Sequence, residues 1–553
     1  MKMLALSLLA LAALPAAAQM AMDHPAPSAA QSAAAPERLG TVSFSVSCAT
    51  AVQAPFNRGV ALLHDFWYQE AQRQFEEIAK TDPACSMAHW GVALSYFHQI
   101  WNRPGDATMA RGWADIQKAQ SPAAKTPRER AYIDALSNFY RPGPAKFPER
   151  IQAYSDALGK LYRQYPDDID AGAFYALSLL AAAPPDDTSL AANRKAMAVL
   201  APLFAKYPDN PGLVHYITHA CDNPAMASEG LPAANHYGEI AQSGAHAYHM
   251  PGHIYARLGM WTQDIEANLG SVAASKAAQA KYGSGIMDEP HSYDFLLYAY
   301  LQSGQDDRAK WVLDQTAALL TEIDAMPAMS GQPMAGMVPY YRSKYAVFYA
   351  LEMQDWQSAA ALEPSAGAPP EIATLAIWAR TIGHGHLHQA EEARADLARY
   401  NALIDEIKKG KDSYIADGTD VKIEHAEVVA WVAFAAGKQD DALKNMRDAA
   451  DLQDKVGQGE VDIPAREMLA DMLLDFHQPQ QALAEYDVAL RLSPNRFNGL
   501  YHAGLAAEAA GDKAKAQQYY AALLKSTGNG AQSTRPEFAH IKSFVSSEQL
   551  AAK

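Results

Sequence analysis

The sequence predicts an all-α solenoid of antiparallel helix pairs. Small and large residues recur at a helix-pair spacing, and alanine-rich helical periodicity dominates. Alternating apolar and polar runs closed by Asn-Gly turns are nearly absent. The 553 residues amount to about three or four domain equivalents. Half the chain is apolar and 20% is charged, a composition that buries large cores and excludes general disorder. With 62 acids against 46 bases the net charge is −16, which argues against nucleic-acid binding. Three cysteines exclude a disulfide-dense scaffold and a CxxC…CxxC zinc module.

A paired-helix unit of about 34 residues wants small residues near positions 8 and 20, a bulky one near 24 and proline near 32. Small residues let the helices approach, the bulky one fills the next groove, and proline ends the second helix. Gly59, Ala71, Phe75 and Pro83 meet this spacing, and Trp90-Gly91 opens the next unit. Ala482, Tyr486, Ala489 and Pro494 meet it again, and Gly504, Ala516 and Tyr520 continue in phase. Weaker copies are Gly304 with Ala309 and Gly437 with Ala442, and Leu258-Gly259-Met260-Trp261 has turn character. The pattern resembles the tetratricopeptide repeat superfamily over most of residues 50–530. That resemblance implies a curved stack whose concave face, lined by first helices, binds a protein or peptide.

The N-terminal stretch MKMLALSLLALAALPAAAQ has the basic start, short apolar run and small-residue cleavage site of a secretory signal peptide, residues 1–18. An Ala/Pro/Ser-rich flexible leader is expected over 19–44. No later window is long and apolar enough to cross a membrane. These features predict a periplasmic or secreted chain without an integral membrane segment after cleavage. Cys48 and Cys85 are then disulfide candidates, leaving Cys221 as a buried or reactive thiol. We place an N-terminal repeat domain at 45–320, a Pro/Met-rich connection with short helices at 321–375, and C-terminal repeats at 376–553. The methionines of the connection suit either adaptable apolar packing or copper(I).

Ten of the 18 histidines lie between His64 and His291. His215 and His219 are four apart and share a helix face. The zincin glutamate is missing, with Tyr216 in its place. His249 and His253 are also four apart, His246 is three earlier, and Pro251 predicts a helix start between them. His291 and Asp294 open a further repeat. First helices of successive repeats line one face, so His215, His219, His246, His249, His253 and His291 are candidate ligands for zinc, copper or iron. Asp222 and Asp294 are the candidate orienting or proton-transferring carboxylates, with Asp288 and Glu289 nearby. The alternative is a hydrogen-bonded histidine network that stabilises packing. His64, His89, His98 and His236 read as packing or surface residues. Gly385 weakens a helix, so Gly383-His384-Gly385-His386-Leu387-His388 reads as a solvent-exposed turn, with a loop that binds a transition metal as the alternative.

His215-xxx-His219, Asp222-x-Pro224, His246-Ala247-x-His249-Met250-Pro251-x-His253 and Arg257-Leu258-Gly259-x-Trp261 resemble motifs of exported bacterial tetratricopeptide-like proteins, as do His64, Phe66-Trp67, Asp82-Pro83, Cys85 and Trp90-Gly91. The resemblance covers roughly 45–320. It implies a repeat fold and carries no catalytic assignment. P-loop, GxSxG, Rossmann and CxxCH motifs are absent. The expected function is a protein- or peptide-binding scaffold with a histidine-rich metal site. The alternative is a metal-dependent hydrolase or oxidoreductase built on residues 215–294.

Overall fold

The structure is a computed structural model that describes residues 37–100, 103–121, 126–184, 187–326, 336–410, 413–457 and 459–551. The expected signal peptide, the leader to residue 36, and Met329 and Met334 of the methionine-rich tract lie outside these. Among the described residues the regular elements are helices and no strand occurs. From Gln53–His64 to Lys513–Ser526 each helix packs on its successor, and alternate helices line up as an inner row.

The repeat arithmetic is physical. A β-carbon at Gly59 would lie 2.7 Å from the Phe75 ring, and one at Gly91 only 2.4 Å from the same ring. The ring therefore wedges between the first helices of two consecutive repeats, Gln53–His64 and Ser86–Ser95. Gly504 faces Tyr520 in the same way, at 2.2 Å. Local signals start the helices. Thr126 and Glu129 form a capping box ahead of Pro127–Tyr140. The Asn210 side chain accepts from Leu213 N–H, and Pro211 opens Pro211–Cys221.

The stack curls tightly. Gln53–His64 meets Pro211–Cys221, and His64 Nδ1 lies 2.9 Å from the Tyr216 hydroxyl across 152 residues. In the second half Glu289–Gln302 meets Phe497–Ala509. There Arg496 is buried between Glu352 and Glu467, at 2.9 and 2.8 Å. The apolar core has two parts, from Leu39 to Ile254 and from Ala256 to Ile541. They meet inside Pro251–Arg257, whereas Leu319, Leu320 and Ile323, at the expected boundary near 320, lie within the second part. Gly259 (φ 62°) lets the halves dock. A β-carbon there would lie 2.3 Å from the Pro494 carbonyl oxygen, and Trp261 Nε1 donates to the Asn495 carbonyl at 2.8 Å.

Two expectations need correction. From Glu37 onward the leader is packed chain, with Leu39, Val42 and Phe44 buried and Phe44 stacked on Trp90. Only His388 of the alternating histidines lies on an exposed turn. Pro370–His386 includes two of them. His384 is buried with Nδ1 2.7 Å from Asp396, and His386 stacks on Trp356 at 3.7 Å. Gly385 is there because a β-carbon would lie 2.6 Å from Trp431.

Cys48 and Cys85 are disulfide-bonded, with sulfurs 2.05 Å apart. Cys221 is buried. Burial first, then the Glu229 and Asp222 carboxylates, push its thiol up to about 12. A thiol reagent should find no group in the native protein, one after non-reducing denaturation, and all 3 cysteines after reduction. Phe75→Ala should lower the unfolding free energy by about 3–5 kcal/mol in denaturant titration.

Candidate metal centre

Three stretches of the inner row carry the candidate imidazoles: Pro211–Cys221, the consecutive short helices Ala245–His249 and Pro251–Arg257, and Glu289–Gln302. The six histidines form two adjoining triads. His215, His219 and His246 make the first, and His249, His253 and His291 the second. Within each triad one ring nitrogen per residue lies within 4.8 Å of the others. Both triads combine an i,i+4 pair with a third histidine from the next inner element; His215 and His219 share one helix, whereas His249 and His253 straddle the break between two short ones. Met250 (φ −53°, ψ −37°) joins the two short helices, placing His246 before the break and His253 after it. The His246 and His249 rings are 6.3 Å apart, so the triads are neighbours.

The rings are oriented from outside. His215 Nδ1 lies 2.5 Å from the His64 carbonyl oxygen. A carbonyl only accepts, so Nδ1 carries the proton and Nε2 keeps its lone pair. Burial first, then His219, hold His215 well below the usual histidine range, so it is neutral. His249 Nδ1 lies 2.6 Å from Asn268 Oδ1. Asn268 donates its amide nitrogen to Asp264 Oδ1 at 2.7 Å, which leaves Oδ1 as the end facing His249. Burial pushes the Asp264 carboxyl well above its usual range. Gly252 makes room for this relay, since a β-carbon would lie 2.8 Å from both Asn268 Nδ2 and Asp264 Oδ1. Burial, then His291, hold His249 well below the usual range.

His253 Nδ1 faces two carboxylates, Asp222 at 3.0 Å and Glu460 at 2.8 Å. Arg257 bridges the same pair, at 2.9 and 3.0 Å. Burial opposes a charge on His253, but the Asp222 and Glu460 carboxylates outweigh it and push the imidazole up to about 10. Burial and neighbouring histidines lower His246, and lower His219 and His291 to about 3.

The inward nitrogens face one another. His215 Nε2 and His246 Nε2 are 3.2 Å apart, and His249 Nε2 and His253 Nε2 are 2.9 Å apart. Such a contact needs a proton or a cation between the nitrogens. In the second triad, without a metal, His253 supplies that proton. Two imidazoles on one tetrahedral ion, at 2.0–2.1 Å each, stand about 3.3 Å apart. His219 Nε2 is buried and makes no hydrogen bond within the protein. The donor set thus fits a transition metal. Each triad also has its own phenylalanine. Phe66 touches the first set at 4.3, 5.5 and 5.4 Å, and Phe295 the second at 4.7, 4.9 and 5.2 Å. Phe66 sits in the left-handed region, φ 56°, a strained conformation for a bulky side chain.

All six expected ligands are brought together. Asp222 lies 3.0 Å from His253 Nδ1. Asp294 instead pairs with Lys344 at 2.5 Å, so no imidazole depends on that contact. Glu289 receives the Ser275 hydroxyl at 3.2 Å. His64 packs on Phe174 and contributes its backbone carbonyl. Sequence reasoning missed Glu460, Asn268 and Asp264. The last two are polar i,i+4 residues on the buried side of Trp261–Tyr282, a detectable signal. Glu460 stands in a turn 203 residues from Arg257, and nothing local marks it.

No known family's profile matches the chain, and no curated protein matches it. Solved structures align loosely. The human IFIT1 dimer with m7Gppp-AAAA is 10% identical at a TM-score of 0.34, over 80% of this chain and 90% of that one. A monomeric IFIT1 mutant with Gppp-AAAA is 11% identical at 0.34, over 87% and 98%. The P58(IPK) TPR domain is 14% identical at 0.19, over 90% and 99%. At these scores the likenesses carry no argument about function.

Asn268→Leu should strand His249 Nδ1–H and Asp264 together. The unfolding free energy should fall by about 1–3 kcal/mol for each stranded group, measured in denaturant.

Proposed function

We propose that this chain is a metalloprotein, a curled helical repeat that holds zinc, copper or iron in two three-histidine sites. One observation carries the reading. In each triad outer acceptors fix Nδ1 as the proton-bearing nitrogen, at His215, His249 and His253, and turn Nε2 toward a shared point. An ion held by three imidazoles keeps a coordination position for water or substrate and supplies Lewis acidity or redox chemistry there. The chain's own residues do the rest. Asp222 and Glu460 hold the proton at His253 Nδ1, Asn268 fixes the His249 ring, and Phe66 and Phe295 line the rings and limit water. A metal-dependent hydrolase or oxidoreductase is the corresponding activity class.

Peptide binding in the concave groove has less support. Where the second half curls shut, Arg496, Glu352 and Glu467 fill the inner face, and a cavity of about 30 Å³ remains among them. The Cys48–Cys85 disulfide supports action in an oxidising compartment, in line with export to the periplasm or beyond.

Elemental analysis of the full chain, purified without a tag, should find stoichiometric transition metal. His249→Ala/His253→Ala should empty one site, and adding His215→Ala/His219→Ala should empty both. Folded protein that carries no metal and takes up neither Zn²⁺ nor Cu⁺ would overturn the reading.

A further inference from the structure

The triads differ in the charge around them, and we infer that the second, His249/His253/His291, is a divalent-cation site whose preference is set by Asp222 and Glu460 acting through His253. This deepens the metal reading above and rests on it. Contacts of the first triad include the His64 carbonyl, the Phe66 ring and the Tyr237 ring 5.3 Å from His215, while Asp222 and Glu460 act on His219 only through space. The second triad has two carboxylates within 3.0 Å of one imidazole nitrogen. One guanidinium, Arg257, shares them. Two negative charges against one positive leave one net negative charge beside His253. A metal ion at His253 Nε2 would take the place of the second imidazole proton and meet that charge through the ring.

The carboxylates are positioning residues. Held on Nδ1–H, they keep Nε2 directed at the shared point and raise the basicity of the ring. Their second effect is electrostatic and depends on the charge of the ion. By Coulomb's law, removing one unit of negative charge costs a divalent ion twice what it costs a monovalent ion at the same place. A tenfold loss for a divalent ion therefore corresponds to a threefold loss or less for a monovalent one. A purely structural role would weaken both ions equally. Glu460 also makes the site a joint product of the two halves, because the turn that bears it lies between Gln439–Val456 and Ala465–Asp475.

The test uses the full chain carrying His215→Ala/His219→Ala, so that the second triad alone binds. Zn²⁺ affinity is measured by chelator competition, and Cu⁺ affinity by competition with a copper(I)-specific chelator under reducing, anaerobic conditions that leave the disulfide intact. Glu460→Gln keeps the side-chain shape and removes the charge. It should weaken Zn²⁺ binding about tenfold and Cu⁺ binding threefold or less. Asp222→Asn should give the same ratio, and serves if Glu460→Gln melts early. Equal weakening of the two ions, or no weakening, overturns the inference while leaving the metal reading intact. Failure of the unmodified chain to bind either ion overturns both.

Discussion

The close approach of helices at glycine–ring contacts is the constraint on which the structure depends. Phe75 lies against Gly59 and Gly91, and Tyr520 against Gly504. Side chains larger than hydrogen at these glycines would push the helices apart and open the curl. With the helices held close, the row of first helices bends until Gln53–His64 returns to Pro211–Cys221. That return places the His64 carbonyl on His215 Nδ1. Packing of large residues against small ones thus decides where a polar ring points.

The histidine centre also illustrates how buried polar groups are kept in order. Six imidazoles in a partly dry interior are costly unless their nitrogens have partners. Here a backbone carbonyl, an amide and two carboxylates satisfy the outer nitrogens of His215, His249 and His253. The inner nitrogens are left facing one another. A shared proton holds such facing nitrogens together, and the same arrangement suits a cation. The same logic explains Gly252, whose missing side chain admits the Asp264–Asn268 relay.

Much of this was legible in the sequence, for physical reasons. Helix pairing follows from local spacing, so Gly59, Phe75, Gly504 and Tyr520 announce it. The pairs His215/His219 and His249/His253 follow from the helical period, and Pro251 marks the break between the short helices. Interactions made across the fold were not legible. Glu460 reaches His253 only because the two halves dock at Gly259 and Asn495. Asp294 turns to Lys344, which belongs to a helix 50 residues on. The segment around Gly385 read as a turn because the glycine's real neighbour, Trp431, is far along the chain.

One consequence follows from the distances along the chain that the centre spans. His64 and His215 are 151 residues apart, and Arg257 and Glu460 another 203. Loop closures of this length are slow, because so much chain freedom is given up before any contact rewards it. A nascent polypeptide of four hundred residues, although already mostly helical, would still lack the last carboxylate at the imidazoles. The centre is therefore among the final features to mature, and its completion reports that both ends of the molecule have found their places.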